Sequence, residues 1–162
     1  LTMSETRPVP EDPTGPITRR IRRILRDEDP QLIGRLPSGW AILGNQQPAP
    51  LDGCCMLLPD PVVASVNDLD PDARSRFMTD FVRLGDAVLE ATGAERINYL
   101  ILCNQVEELH GHVIPRFASE DPAARRLGPF EAYDFPGARR ADASGSGPDH
   151  ALLQRLRSAL QA

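Results

Sequence analysis

The 162-residue chain contains no lysine, so its 18 basic residues are all arginine, set against 23 acidic residues and a net charge of −5. Aromatic residues make up only 5% of the chain, and its three cysteines form no CxxC pair. No apolar run approaches the ~20 residues of a membrane span, and the first residues lack the pattern of a signal peptide. These absences argue against a disulfide framework, a zinc knuckle and a general nucleic-acid binder. We expect a soluble, reduced, cytoplasmic protein.

The exclusive use of arginine has two explanations. Coding bias in a GC-rich genome accounts for it without any functional role. Alternatively, the planar guanidinium fork serves to recognise phosphate, which lysine does less specifically. An acidic chain can still hold a small phosphorylated ligand in one local site.

Composition divides the chain into four parts. Residues 1–16 are rich in proline and charge and are predicted to be disordered. A single folded domain is predicted over residues 17–136. Residues 137–148 contain a Ser-Gly-Ser-Gly-Pro run and are predicted to be a flexible linker. Leucines at helical spacing predict a C-terminal helix over residues 149–162.

The first helix of the domain is predicted to begin at Thr18, a suitable N-cap, and to stop before Pro30. Isoleucines at helical spacing form its apolar face. The rest of its surface is predicted to be a solvated face, formed by Arg19, Arg20, Arg22, Arg23 and Arg26.

The longest helix is predicted over residues 70–92. Asp70 is a suitable N-cap, Pro71 suits the first turn, and Gly93 suits the C-terminal exit. An apolar stripe recurs at helical spacing at Phe77, Phe81, Leu84 and Val88. We therefore expect this helix to lie on a sheet.

Four strands are predicted, at residues 40–43, 54–58, 96–102 and 108–117. The last two are separated by five residues, which is hairpin length. The order of helices and strands predicts an α+β fold with an antiparallel sheet.

The last predicted strand carries two of the three histidines. Because residues two apart in a strand share a face, one face would present Glu108, His110, His112, Ile114 and Arg116. The glycine between the histidines, Gly111, would leave room for another backbone or for a substrate.

Three interpretations of the two histidines follow from chemistry alone. One imidazole can attack a phosphorus atom while the other donates hydrogen bonds to phosphate oxygens. Alternatively, His110 and His112 bind a metal, although the nearest further ligands, Glu120 and His150, are poorly placed for it. The third interpretation is a polar, exposed strand face without catalytic function.

The run from His110 to Phe117, His-Gly-His-Val-Ile-Pro-Arg-Phe, resembles the histidine triad (HIT) superfamily when taken with the strand and long helix before it. That signature alternates three histidines with apolar residues. The resemblance covers residues 40–117 and implies a HIT-like antiparallel sheet with the long helix packed on it. It also implies a homodimer that binds nucleotides.

Site roles follow from the resemblance residue by residue. His110 matches the family's nucleophile, which attacks the α-phosphate of a nucleotide, and His112 matches the histidine that contacts this phosphate. Asn98 matches an asparagine near the phosphates. Asn45 stands where many members place an aspartate that binds the ribose hydroxyls.

Besides Asn45, both Glu108 and Gln105 depart from the family pattern. Glu108 occupies the position of the first histidine, as in a divergent branch that lacks it, and its carboxylate can orient an imidazole and raise its pKa. Gln105 stands where a serine or threonine often supports the leaving phosphate.

Arg116 is a candidate for binding the distal phosphates of a polyphosphate, with a surface salt bridge as the alternative.

The resemblance implies a nucleotide phosphohydrolase or nucleotidyl transferase that forms a nucleotidyl-histidine intermediate. Its substrates would be dinucleoside polyphosphates or nucleoside phosphoramidates. The alternative is a nucleotide-sensing or sequestering module of the same fold with weakened catalysis. We expect no required cofactor, although a divalent cation can accompany a polyphosphate. We expect no membrane or nucleic-acid polymer as a partner.

Overall fold

A computed structural model describes residues 15–161. Its strands form one antiparallel sheet with the order β1-β2-β3-β5-β4. The strands are β1 Leu32–Leu36, β2 Gly39–Leu43, β3 Cys55–Pro59, β4 Arg96–Leu100 and β5 Gly111–Arg116. The helices are α1 Pro16–Leu25, α2 Pro71–Thr92, α3 Pro122–Arg125, α4 Pro129–Ala132 and α5 His150–Gln161. The predicted α+β fold with a long helix on an antiparallel sheet is confirmed.

Helix α2 has the ends that its sequence predicts. The Asp70 side chain accepts a hydrogen bond of 2.8 Å from the Ala73 N–H, and so satisfies one free donor of the first turn. Gly93 closes the helix in the left-handed conformation, with φ of 71°, which glycine adopts without steric cost. Both ends are local signals, and both are confirmed.

One face of the sheet forms the main apolar core with α2 and α5. The predicted stripe on α2, from Phe77 to Val88, packs against sheet residues that include Leu57 and Val113, both fully buried. The leucines of α5 belong to the same core. The C-terminal helix therefore completes this layer of the fold.

Helix α1 covers part of the opposite face. Its isoleucines pack against Ile42 and Leu58 of β2 and β3. The helix begins at Pro16 with Gly15 as the N-cap, so the prediction of Thr18 as the N-cap is wrong. Proline suits the first turn because its missing N–H would have no intrahelical acceptor there.

The strands differ from prediction mainly at their ends. Strand β1 was not predicted, because Gly34 and Arg35 interrupt any apolar alternation. Strand β5 begins at Gly111, three residues later than predicted. The adjacent cysteines point to opposite faces, Cys55 into the main core and Cys54 into a small cluster on the other side.

Residues 137–148 lie against the loop that follows β2. The backbone of Arg140 pairs with that of Gln46, and Arg139 forms an ion pair with the buried Asp149. The stretch predicted as a free linker is thus held by main-chain pairing and charge. Of the segment predicted to be disordered, residues 1–14 lie outside the described part, and residue 16 belongs to α1. None of the helices within residues 15–161 is both long and apolar enough to cross a membrane.

Candidate active site

The two histidines lie where a loop enters the central part of the sheet. Because β5 begins at Gly111, His110 belongs to the loop and His112 to the strand, opposite Met56 of β3. Their imidazole rings are 5.0 Å apart between centroids and nearly perpendicular. Both side chains line one cavity on the face that α1 partly covers.

Gly111 has a packing role that differs from the predicted one. A Cβ atom at this position would lie 2.6 Å from Cε1 of Phe81 on α2. The space beside Gly111 is therefore filled by the main core and is not open to a substrate. Glycine at this position lets the histidine segment, residues 108–112, approach α2 closely.

The hydrogen bonding of His110 selects one tautomer of its ring. Nδ1 lies 2.7 Å from the backbone carbonyl oxygen of Glu108, which can only accept a hydrogen bond. Nδ1 therefore carries the proton in the neutral ring, and Nε2 retains a lone pair. This is the arrangement that a nucleophilic imidazole requires.

The two histidines differ in proton affinity. Burial lowers the pKa of His110, but contacts with the Cys103 sulfur and the Glu108 carbonyl, together with the Glu108 charge, raise it above its ordinary value. Burial and the neighbouring His110 lower the pKa of His112 to about 4. His112 is accordingly neutral at physiological pH and can donate one hydrogen bond through its protonated nitrogen.

The side chain of Glu108 does not point at the imidazoles. Its carboxylate accepts hydrogen bonds from the N–H groups of Ile17 and Thr18 at 3.1 and 3.2 Å, and from the Thr18 hydroxyl. The Glu108 charge raises the pKa of His110, but less than the contacts with the Cys103 sulfur and the Glu108 carbonyl do. Orientation of the imidazole, however, comes from the Glu108 backbone carbonyl.

The cavity has a volume of about 280 Å³. Its apolar wall is formed by side chains of α1, β2 and β3, including Ile17, Ile42 and Met56. Among residues 15–161 its lining includes no aspartate or glutamate, and its basic side chains are His110, His112, Arg20 and Arg140. On a chain with a net charge of −5, this concentration of hydrogen-bond donors, together with the positive charge of Arg140, favours an anionic ligand.

Asn45 lies in the cavity lining, as expected for a substrate-binding residue. Its Oδ1 accepts hydrogen bonds from Arg20 Nη1 at 2.9 Å and from Gln31 Nε2 at 3.0 Å. The amide NH2 group, at Nδ2, is then the part of the Asn45 side chain that can donate hydrogen bonds to a ligand. Arg20 also forms a buried ion pair with Asp29 at 2.6 Å, so its assignment to a solvated face is wrong.

Asn98 and Arg116 share the sheet face of His112 but lie outside the cavity lining. The guanidinium of Arg116 bonds Glu120, Asn98 Oδ1 and the carbonyl oxygens of Ala124 and Leu127, which together engage all five N–H groups. Arg116 is 5% exposed. Its predicted role in holding distal phosphates is corrected to a structural one, and Asn98 is one of its partners.

Gln105 is exposed in the loop before His110 and does not belong to the cavity lining. The structure instead brings Phe130 to the site, with its ring 5.4 Å from that of His112. Phe130 in turn contacts Phe135, which lines the cavity. The only sequence signal for these contacts is the presence of two phenylalanines beside prolines in an otherwise polar segment.

Within residues 15–161, no three side chains of histidine, cysteine, aspartate or glutamate come together in an arrangement that could hold a metal ion. Cys54 and Cys55 are buried, and burial raises the pKa of Cys54 to about 12. Both thiols are thus poor nucleophiles and poor metal ligands at neutral pH.

Solved structures with a similar fold come from several bacteria. A histidine triad (HIT) protein from Sinorhizobium meliloti is 23% identical, with a TM-score of 0.65 over 90% of this chain and 97% of that one. A Hit-like protein from Bartonella henselae is 18% identical, with a TM-score of 0.61 over 91% and 98% of the two chains. A zinc-bound histidine triad family protein from Mycobacterium smegmatis is 19% identical, with a TM-score of 0.60 over 85% and 89%.

At these identities the solved structures support the fold alone. No curated protein sequence gives a significant match. The profile of the HIT domain, in contrast, matches residues 26–119, which is more than half of the chain and includes both cavity histidines. The sheet order, the histidine segment and this match lead to one conclusion: the chain belongs to the HIT domain family.

Proposed function

We propose that the protein is a nucleotide phosphohydrolase or nucleotidyl transferase in which His110 attacks the α-phosphate of its substrate. The observation that carries this proposal is the hydrogen bond of His110 Nδ1 to the Glu108 carbonyl. It leaves the Nε2 lone pair available on a residue that lines a cavity suited to an anion. Membership of the HIT family supports a nucleotide as the ligand.

The reaction proceeds in two displacements. Nε2 of His110 forms a bond to the α-phosphorus, and the bond from phosphorus to the leaving oxygen, or to the nitrogen of a phosphoramidate, breaks. The leaving group departs with that electron pair and takes a proton from water. A water molecule then attacks the phosphorus and gives up its proton to the hydroxide left in solvent by the first step, the P–N bond breaks, and the imidazole recovers its lone pair.

His112 and Asn45 have supporting roles in this scheme. Neutral His112 donates a hydrogen bond to a phosphate oxygen, and binding of the anion itself favours further protonation of the ring. Asn45, which also lines the cavity, offers the N–H groups of its side-chain amide to the ribose. Since charge on the phosphoryl group must be stabilised in the transition state, the absence of carboxylates from the lining formed by residues 15–161 supports the reaction.

The proposed substrates are dinucleoside polyphosphates or nucleoside phosphoramidates. Covalent catalysis by histidine needs no cofactor, and a divalent cation would enter only with a polyphosphate substrate. A cytoplasmic location fits these substrates and belongs to the same proposal.

A homodimer is the proposed assembly. Strand β4 lies at the end of the strand order, so its outer edge is available to a further strand. Large apolar side chains are exposed on and near this edge and on α2, at Met78, Val82, Tyr99 and Leu102. Light scattering coupled to size-exclusion chromatography tests this assembly, and a monomer at micromolar concentration would refute it.

The decisive test of the function compares wild type with His110→Ala on diadenosine tetraphosphate and on adenosine 5′-phosphoramidate. We expect loss of turnover by at least about 10³-fold, because the nucleophile is removed. Wild type quenched during turnover should carry one nucleotidyl group, detected by mass spectrometry, and the variant none.

The matched control is His150→Ala, since His150 lies on α5 outside the cavity lining. It should retain wild-type turnover. Unchanged turnover in His110→Ala would refute the proposed nucleophile. Binding of nucleotide by calorimetry without cleavage over hours would favour the sensing or sequestering module instead.

A further inference from the structure

The N-terminus of α1 is held by a carboxylate from a distant part of the chain. Glu108 is 3% exposed and lies 91 positions from Ile17 along the chain. Its carboxylate accepts a hydrogen bond of 3.1 Å from the backbone N–H of Ile17. It also accepts from the N–H and the hydroxyl of Thr18. The first N–H groups of a helix lack intrahelical acceptors and carry partial positive charge, so a buried carboxylate is a favourable partner.

The anchored turn of α1 is also a wall of the active-site cavity. Pro16, Ile17 and Arg20 line the cavity, and all three lie within five residues of the anchor point. Farther along the helix, Ile21 and Ile24 attach α1 to the sheet by apolar packing. At its N-terminal turn the helix depends on Glu108 for polar contact with the histidine segment.

From these contacts we propose that Glu108 is a positioning residue for substrate binding, acting through α1. Its carboxylate fixes the first turn of α1 as one wall of the nucleotide cavity, so nucleotide affinity depends on a residue whose side chain does not face the ligand. The choice of a nucleotide as the ligand rests on the proposed function. The effect should appear mainly in KM and Kd, because the hydrogen bond that orients His110 comes from the Glu108 backbone carbonyl, which both variants keep, and the Glu108 charge is the smallest contribution to the raised His110 pKa.

Gly15 supplies an independent way to disturb the anchor. A Cβ atom at Gly15 would lie 2.2 Å from Glu108 Oε1. The backbone at Gly15 has φ of −55°, which alanine adopts without strain. Because the carboxylate ends a flexible side chain, the added methyl group of Gly15→Ala should displace it from the helix. This variant therefore disturbs the anchor without substituting Glu108.

The experiment compares Glu108→Gln and Gly15→Ala with two matched controls. Glu90→Gln makes the same change at an exposed residue of α2, outside the cavity lining, and Gly145→Ala adds a methyl group where no atom lies within 4 Å. Kd for adenosine monophosphate is measured by calorimetry, and kcat and KM with diadenosine tetraphosphate. Hydrogen exchange of residues 15–25 reports the opening of α1, with α2 as the internal reference.

We expect Kd and KM to rise about tenfold in both anchor variants, as for the loss of hydrogen bonds to a charged group. In both variants kcat should stay within about threefold of wild type, and exchange should accelerate in residues 15–25 alone. The two control variants should match wild type.

Wild-type Kd and KM in both anchor variants would overturn the proposal. Exchange that accelerates equally in α1 and α2, with unchanged Kd, would also overturn it, since it would show only general stabilisation. If wild type neither binds nor cleaves these nucleotides, the proposed function fails. Faster exchange confined to residues 15–25 would in that case still support Glu108 as the anchor of α1.

Discussion

The two faces of the sheet differ in what their side chains contact. On the α2 face, residues such as Phe77 and Val113 are fully buried among apolar neighbours. On the α1 face, cover is partial, and the gap between α1 and the segment after β5 is the cavity that contains His110, His112 and Arg20. The stability of the fold is thus concentrated on one face and its reactive groups on the other.

Strand β5 shows how closely the two environments adjoin. Val113 faces the dry core, whereas its neighbour His112 faces the cavity. Because alternate residues of a strand point to opposite faces, one position along the chain separates a packing residue from a candidate catalytic residue. Substitutions on the two faces should accordingly have separable effects on stability and on activity.

The largest expected effect on stability is on the α2 face. Phe77→Ala should lower the free energy of unfolding by about 3–5 kcal/mol, because it removes a fully buried aromatic ring and leaves a cavity. Urea denaturation measures this change. The KM for the proposed substrates should stay at its wild-type value in the folded variant, and a raised KM would contradict the separation of the two faces.

A smaller effect is expected from His112, and it depends on pH. The pKa of His112 in the folded protein is about 4, below the ordinary value of about 6.5 for an unfolded chain. Between these pH values the unfolded state binds the extra proton, so stability falls as pH decreases from 6.5 towards 4. The slope is at most about 1.4 kcal/mol for each pH unit.

Urea denaturation at pH 5 and pH 7 tests this prediction, with His112→Gln as the variant. The variant should lose the part of the pH dependence that His112 contributes. His110 should act in the opposite sense, because its pKa is raised, so its contribution is lost as pH rises through that value. An unchanged pH dependence in His112→Gln would show that His112 titrates normally in the folded state.

The smallest effect, on the pKa of His110, is expected from substitution of Cys103. Its sulfur lies 3.7 Å from His110 Nδ1 and contributes to the raised pKa of that imidazole. Cys103→Ala should lower the pKa of His110 and move the acid limb of the pH–rate profile to lower pH by less than about one unit. An acid limb that stays in place would show that Cys103 does not influence the nucleophile.

The sequence predicts the elements of the main core well because their signals are local. Asp70, Pro71 and Gly93 mark the ends of α2 within a few residues of the positions they act on. The apolar runs of β2 and β3 are recognisable for the same reason. Strand β1 was missed because its pairing with β2, and not its own composition, determines its conformation.

The candidate site is less predictable because its contacts join distant segments. The sequence indicates His110 and His112 by their spacing, and both line the cavity; their catalytic roles stay predictions. The burial of Arg20 depends on Asp29 and Asn45, and the capping of α1 depends on Glu108. No pattern within a short window encodes such pairs.

The contacts of Arg116 have a consequence for how freely the following segment can change. Its guanidinium bonds main-chain oxygens of Ala124 and Leu127, which every amino acid provides. Most side chains of residues 121–128 can therefore be exchanged in evolution while the path of the backbone persists. Arg116 has no such freedom, because lysine lacks the planar fork that reaches several acceptors at once. One residue in the sheet thus confers sequence tolerance on a neighbouring segment whose regular structure is the short helix α3.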